Sequence, residues 1–425
     1  MTRRFAPPAR AAVDACLDGV YRDHWRNLTL VLARRFGAAN LDLIESALQA
    51  ATVKAMDAWP FQGLPDNPAG WLLQVARNQV IDALRRRAMR AGKAAAVAEQ
   101  LYAAAAVEPV NPDPLDDDAL TMMFVCCHPD LKPRESIALT LQVICGLRTR
   151  EIARAMLTGE EALRKTITRT KAKIRDRAIP FETPPRADLA ARLDRVLQIV
   201  YLLFNEGYTA HVGDNLVRRD LCNEALRIAS LILASNLPDK GRVYALAALM
   251  AFQAARLPAR IDADGRLLRL AEQDRGLWDR ALIARGMTCL ERSMASAERS
   301  GYHLQAAIAA CHAAAPSYAA TDWPRIRAFY DDLKSLTPSP VVELNRAVAV
   351  AMTDGPVAGL AILDRLEAED ALPGEHLLPS LQADFHRRLG NAETAGRYYR
   401  RALDLVQNVQ QRRFLLRQID TVGHW

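Results

Sequence analysis

Aromatic residues are scarce in this 425-residue chain, at 6% of positions, although half of all residues are hydrophobic. Alanine and leucine must therefore carry the packing, which suits helices better than sheets. Sustained apolar–polar alternation is missing, and apolar spacings of three and four recur nearly throughout, so the expected fold class is all-α. Seven cysteines without regular spacing argue against a disulfide scaffold and for a reducing, cytoplasmic compartment. No apolar signal core follows Met1-Thr2-Arg3-Arg4. Of the two long uncharged stretches, Val243 to Ala255 is shorter than the roughly 20 residues of a membrane span. The other, Ser300 to Thr321, is interrupted by His303, Gln305, His312, Pro316 and Ser317, so no membrane segment is expected. Glycine-rich phosphate loops, zincin motifs and nucleophile elbows are also lacking. No enzyme and no cofactor are expected.

What the chain does have is positive charge in two places. Between Trp71 and Lys93 six basic residues (Arg77, Arg85, Arg86, Arg87, Arg90, Lys93) face Asp82 alone. Between Arg148 and Arg177 ten basic residues face Glu151, Glu160, Glu161 and Asp176. The segment Glu108 to Asp118 separates them with five acids, no base, and Pro109, Pro112 and Pro114. Two basic modules on an acidic, proline-rich linker point to a polyanionic partner, with solvated helix faces as the plainer alternative.

After a tail (1–10), the first module covers 11–92. A helix from Leu41 to Trp59 is expected to end at Pro60, followed by a loop to Gly70 and a helix opened by Asn67-Pro68. In that last helix Leu72, Val75, Ala76, Val80 and Ala83 make the buried stripe, leaving Arg77, Asn78 and Arg85 outward. The second module, 119–180, follows the linker (93–118). It has an apolar helix from Glu135 stopped by Gly146, a short helix from Glu151 capped by Thr149, a turn at Thr158-Gly159, and a helix from Glu160 to Arg177. Leu163, Ile167, Thr170 and Ile174 share one face of it, and Arg164, Lys165, Thr168, Arg169 and Lys171 project from the others. Two short helices, a tight turn and a basic second helix are the pattern of a helix-turn-helix reader of the major groove.

From Arg186 to Trp425 the chain reads as helical hairpins. Ala347, Gly359, Leu363 and Leu366 recur 36 residues later as Ala383, Ala395, Tyr399 and Ala402, a tetratricopeptide-like pattern. Such an array offers a groove for a protein partner, or extends the structure. Cys126-Cys127-His128 has no second cysteine pair at zinc-finger spacing, so a buried pair without metal is expected. Asn205-Glu206-Gly207-Tyr208 with His211 reads as a helix end at Gly207 rather than an acid–base site.

The two modules, in this order, resemble the extracytoplasmic-function sigma factors of bacterial RNA polymerase. Trp71-Leu-Leu-Gln-Val-Ala-Arg-Asn-Gln-Val-Ile-Asp-Ala-Leu-Arg-Arg86 is similar to the promoter-melting helix of their domain 2. Leu147-Arg-Thr-Arg-Glu-Ile-Ala-Arg154 and Thr168-Arg-Thr-Lys-Ala-Lys-Ile-Arg175 are similar to the helix-turn-helix of their domain 4. Phe124-Val-Cys-Cys-His-Pro129, Tyr201-Leu-Leu-Phe-Asn-Glu-Gly-Tyr208 and Ser339-Pro-Val-Val-Glu-Leu-Asn-Arg-Ala-Val-Ala349 resemble the subgroup with a long tetratricopeptide-like C-terminal extension (186–425). The resemblance implies that the chain binds core RNA polymerase and promoter DNA, the −35 element as duplex and the −10 element as a melted strand. It places Asp42, Glu45 and Gln49 on polymerase, and Arg164, Lys165, Thr168, Arg169 and Lys171 on the −35 duplex. Arg77, Asn78, Arg85 and Arg86 would track the melted strand, while Phe61 and Trp71 wall a pocket for an unstacked base or pack in the core. Tyr201, Phe204, Glu206 and Tyr208 would dock the array on the sigma modules, or pack within it. A protein partner on the array is implied too, with a small YCII-like protein as the neighbour in related factors. A helix-turn-helix regulator with a repeat sensor domain is the alternative reading.

Overall fold

The computed structural model describes residues 10–90, 116–156, 158–180, 186–208, 218–235, 239–262, 266–406 and 408–423. The tail, most of the acidic linker, Pro184-Pro185 and His211 lie outside the described residues. Among the described residues the chain is helical, and its one extended pairing is a single bridge between Ile261 and Leu267. It forms two compact units, residues 1–199 and 200–425.

The first unit opens with α1 (Arg10–Asp23), α2 (Trp25–Phe36), a 3-10 turn (Ala38–Asn40), α3 (Leu41–Gln62) and α4 (Pro68–Arg90). These four helices pack on one another around Leu28, Leu32, Ile44, Leu48, Trp59 and Leu72, all nearly sealed from water. Contrary to expectation, α3 does not stop at Pro60: it runs through the proline to Gln62. Only Phe61 and Gln62 follow the proline, and Gly63, at φ 88°, ends the helix with its N–H donating to the Trp59 carbonyl. The start of α4 is as expected, the Gly70 N–H donating to Asn67 Oδ1 at 2.8 Å.

Next come α5 (Asp116–Cys126), α6 (Pro133–Val143), α7 (Thr149–Ala155) and α8 (Glu160–Asp176). Helix α6 starts two residues before Glu135, which folds back to accept the Lys132 N–H at 2.8 Å. Helix α7 begins at Thr149 itself. Glu151 folds back to accept the N–H of Arg148, the residue before the helix, at 2.6 Å.

Helix α9 (Arg186–Tyr208) contains the division between the units. Its residues up to Ile199 cluster with the first unit. The reason is carbonyl capping: Arg192 Nη1 donates to the Phe124 carbonyl at 2.9 Å, and Arg195 Nη1 to the Leu131 carbonyl at 2.8 Å.

The second unit continues with α10 (Arg219–Ala234), α11 (Gly241–Ala255), α12 (Arg280–Ser293), α13 (Gly301–Ala314), α14 (Trp323–Leu336), α15 (Pro340–Thr353), α16 (Pro356–Ala368), α17 (Leu377–Arg388), α18 (Ala392–Leu405) and α19 (Val409–Gly423). Successive helices pack pairwise, and α11 touches α10, α12 and α13 at once. That central position explains its apolar run, since twelve of its fifteen residues are buried. No helix among the described residues is long and apolar enough to cross a membrane.

The 36-residue repeat is realised as the pairs α15–α16 and α17–α18. All eight of its marker residues are buried. Gly359 lets α16 close on its neighbours: a Cβ there would meet Ala351 Cβ and Phe385 Cε2 at 2.7 Å and the Ala347 carbonyl at 2.9 Å. Gly396 in α18 has room, its nearest neighbour being Arg400 at 3.9 Å. Alanine gains about 1 kcal/mol over glycine in a helix, but overpacking costs roughly 1–3 kcal/mol. Gly396→Ala should thus raise the thermal unfolding midpoint of the second unit, and Gly359→Ala should lower it.

Candidate nucleic-acid and polymerase interface

Helix α4 buries Leu72, Leu73, Ala76, Val80 and Ile81, and turns Asn78, Arg85, Arg86 and Arg87 to solvent. Asp82 is the single acid on this face, 3.9 Å from Arg85. Arg77 departs from the expected outward track. It is half-buried, its Nε is shut off from water without a hydrogen-bond partner, and it lies near Arg35 on α2. Burial, and then the Arg77 charge, pull the Arg35 guanidinium below its ordinary range.

Two aromatic side chains at the α3–α4 corner are split by the fold. Trp71 is partly buried and meets the sealed Trp59 edge-on, with ring centroids 5.4 Å apart. Phe61, on the last turn of α3 rather than in the loop, is 86% exposed. An apolar ring this size left in water beside a cationic helix is what an unstacked base can pack on.

In the helix-turn-helix, α8 buries Leu163, Ile167, Thr170 and Ile174, with α6 and α7 as neighbours. Arg164, Lys165, Thr168 and Arg169 are exposed, as expected. Arg164 and Lys165 hold Glu160 and Glu161 one turn earlier, at 2.8 and 2.7 Å. Lys171 does not project. It is only 7% exposed, and its Nζ lies 2.6 Å from Glu45 Oε2 and 3.8 Å from Asp42 Oδ1. Lys171 is thus turned onto carboxylates of the first module and does not join the outward basic face expected of it.

The same ion pairs occupy two of the three residues expected on polymerase. Gln49 stays exposed, and with Val53 and Met56 at i+4 and i+7 it forms a partly apolar outer face on α3. The sequence reading passed over Val53 and Met56. Their spacing from Gln49, off the buried register of Ile44, Leu48 and Ala51, carried the signal.

The Tyr201–Tyr208 face is used within the second unit. Tyr201 Oη donates to Gln305 at 2.8 Å and its ring meets Tyr302, while Tyr208 stacks on the buried Phe204 and lies 3.9 Å beneath the Arg260 guanidinium. Glu206 is buried. Gly207 does not end the helix. It lets another segment pass, since a Cβ would sit 2.9 Å from the Arg218 carbonyl. Cys126 and Cys127 are buried, and burial, against a Thr140 bond, pushes the Cys126 thiol up to about 12.

Residues 21–90, from late α1 to the end of α4, match the sigma-70 region 2 family. An uncharacterized protein of Rhizobium meliloti (strain 1021) is 40% identical over 408 residues, covering 93% of this chain and 95% of the relative. The chain belongs to the sigma-70 family. Region 2 assigns its first module to binding core RNA polymerase and recognising promoter DNA. Residues 192–294 match a family of unknown function, DUF6596, a span that runs from the first third of α9 to just past α12. No solved structure matches the chain.

Exposure separates the roles at the α3–α4 corner. Phe61→Ala should leave stability within about 0.5 kcal/mol, as for other surface sites. Trp59→Ala should cost roughly 3–5 kcal/mol. Phe61→Ala should nevertheless lose strand opening, read as permanganate reactivity of unpaired thymines on a duplex promoter, and recover activity on a template already melted at the −10 element.

Proposed function

We propose that this chain is a sigma factor of the extracytoplasmic-function type, working in the cytoplasm by binding rather than by catalysis. One observation carries the reading: a single chain joins a region 2 module with Phe61, Asn78, Arg85 and Arg86 exposed to a helix-turn-helix whose Arg164, Lys165, Thr168 and Arg169 all face solvent. The first module takes core polymerase through the outer face of α3 and holds the melted −10 strand along α4. The second reads the −35 duplex with α8, phosphate contacts giving affinity and base edges giving specificity. The helical array from α10 onward is regulatory, and its groove takes a protein partner.

Run-off transcription by the full chain with core polymerase and a genomic promoter pool tests this; a repeat-domain regulator would give no transcript of its own. Within that assay Arg169→Ala, which removes no ion pair to an acid, should weaken promoter binding. A lost base-edge contact costs about 1–3 kcal/mol and relaxes one position, whereas a lost phosphate contact lowers the salt slope by about one. Unchanged affinity and slope would remove α8 from the DNA.

A further inference from the structure

The span that matches a family of unknown function contains a groove of about 470 Å³. Helices α10 and α12 both pack on α11, and the groove runs between them with α11 as its floor. Leu233 and Ala234 of α10 and the Tyr244 ring of α11 line it with carbon. Helix α12 brings Arg285, Cys289 and Arg292, spaced at four and three residues and so on one face. Burial pushes the Cys289 thiol up, while the Arg285 and Arg292 charges and an Arg285 hydrogen bond pull it back, so both guanidinium groups reach the same stretch of groove. Arg285 is aimed by α10: its Nη2 donates to Ser230 Oγ at 2.7 Å, and that hydroxyl donates onward to the Leu226 carbonyl at 2.7 Å. Arg292 rests over the Tyr244 ring, 5.8 Å from its centroid. On the flanking helices Arg227 and Arg242 hold Glu224 and Glu298. Among the described residues Arg285 and Arg292 are paired with no carboxylate.

We propose that this groove binds a small amphipathic carboxylate, with its anionic head between Arg285 and Arg292 and its hydrocarbon body on Leu233, Ala234 and the Tyr244 ring. The site is additional to any protein-binding groove of the array and does not depend on the sigma-factor reading. Three physical arguments select the ligand. Two converging guanidinium groups without an acid call for an anion, and their planar forks match a carboxylate with parallel hydrogen bonds. The volume falls in the range of roughly 300–1,000 Å³ that small-molecule sites occupy, and a mostly carbon lining with a few polar groups is their usual make-up. Macromolecular occupants fit less well. A nucleic-acid strand needs a cationic track, and this floor is carbon. An extended protein segment brings a donor and an acceptor per residue, and the helices around the groove have already used theirs on their own turns.

The test is isothermal titration calorimetry of the full chain with four probes: octanoate, octanamide, acetate and inorganic phosphate. Octanoate should bind at one site, on the order of a hundredfold more tightly than acetate, because several methylenes leave water with it. Octanamide, which has the same body without the charge, should bind no better than acetate. Arg285→Gln and Arg292→Gln should each weaken octanoate about tenfold or more, the loss of a charge-assisted hydrogen bond. Both arginines are exposed, so the ligand-free unfolding midpoints of these variants should match the parent. Arg280→Gln, on the same helix but outside the groove, should bind octanoate as the parent does. Octanoate that binds no more tightly than acetate or octanamide overturns the proposal. So does octanoate affinity that neither arginine variant changes. Inorganic phosphate that binds as tightly as octanoate also overturns it, because a plain anion site has no use for the apolar floor.

Discussion

A protonated amine taken out of water must find opposite charge where it sits, and Lys171 finds it only on the other helical module of its unit. Taking the lysine out of water carries a desolvation cost that its attraction to the partly exposed Glu45 must offset, so the pair adds little net stability even at 2.6 Å. Its value is positional. The apolar stripe of α8 could slide against its neighbours with modest loss, but an ammonium can be neutralised in one register only. The contact therefore fixes where α8 sits on the first module, while the buried apolar faces of each module hold that module together.

The second unit obeys a different rule. With few aromatic rings available, its helices approach closely over alanine and glycine, as at Ala347, Ala351 and Gly359. Larger residues, Phe385 and Tyr399, fill the space between adjacent pairs. Each pair can be stable only when stacked, because every helix from α13 to α19 lends its apolar face to a neighbour.

Local chemistry was legible in the residues, and long-range chemistry was not. Asn67-Pro68 marked the start of α4, Gly146 the loop after α6, and the 36-residue recurrence two helix pairs, because caps, turns and periodicity act over a few residues. Pro60 misled by only two residues, since the helix carries on through Phe61 and Gln62 before Gly63 closes it. Periodicity placed Lys171 beside Arg164 and Arg169 on the exposed side; what buries it is an acid on another module, beyond the reach of any pattern within α8. Arg77 failed alike, drawn inward beside Arg35 from α2. The docking role given to Tyr201–Tyr208 rested on an amphipathic face, and such a face looks the same in sequence whichever partner covers it.

Glu160 and Glu161, on the first turn of α8, have a consequence for how the protein would search a genome. Each neutralises one of the bases that would otherwise greet any phosphate. Exchanging such a carboxylate for a DNA phosphate releases a counterion but leaves an acid facing a polyanion, so random duplex is held weakly. At the right site base-edge bonds repay the exchange, since an exposed ion pair is worth little to begin with. On the proposed reading of α8, the two glutamates would shorten each stop at the wrong sequence and favour the place where the helix can read what it touches.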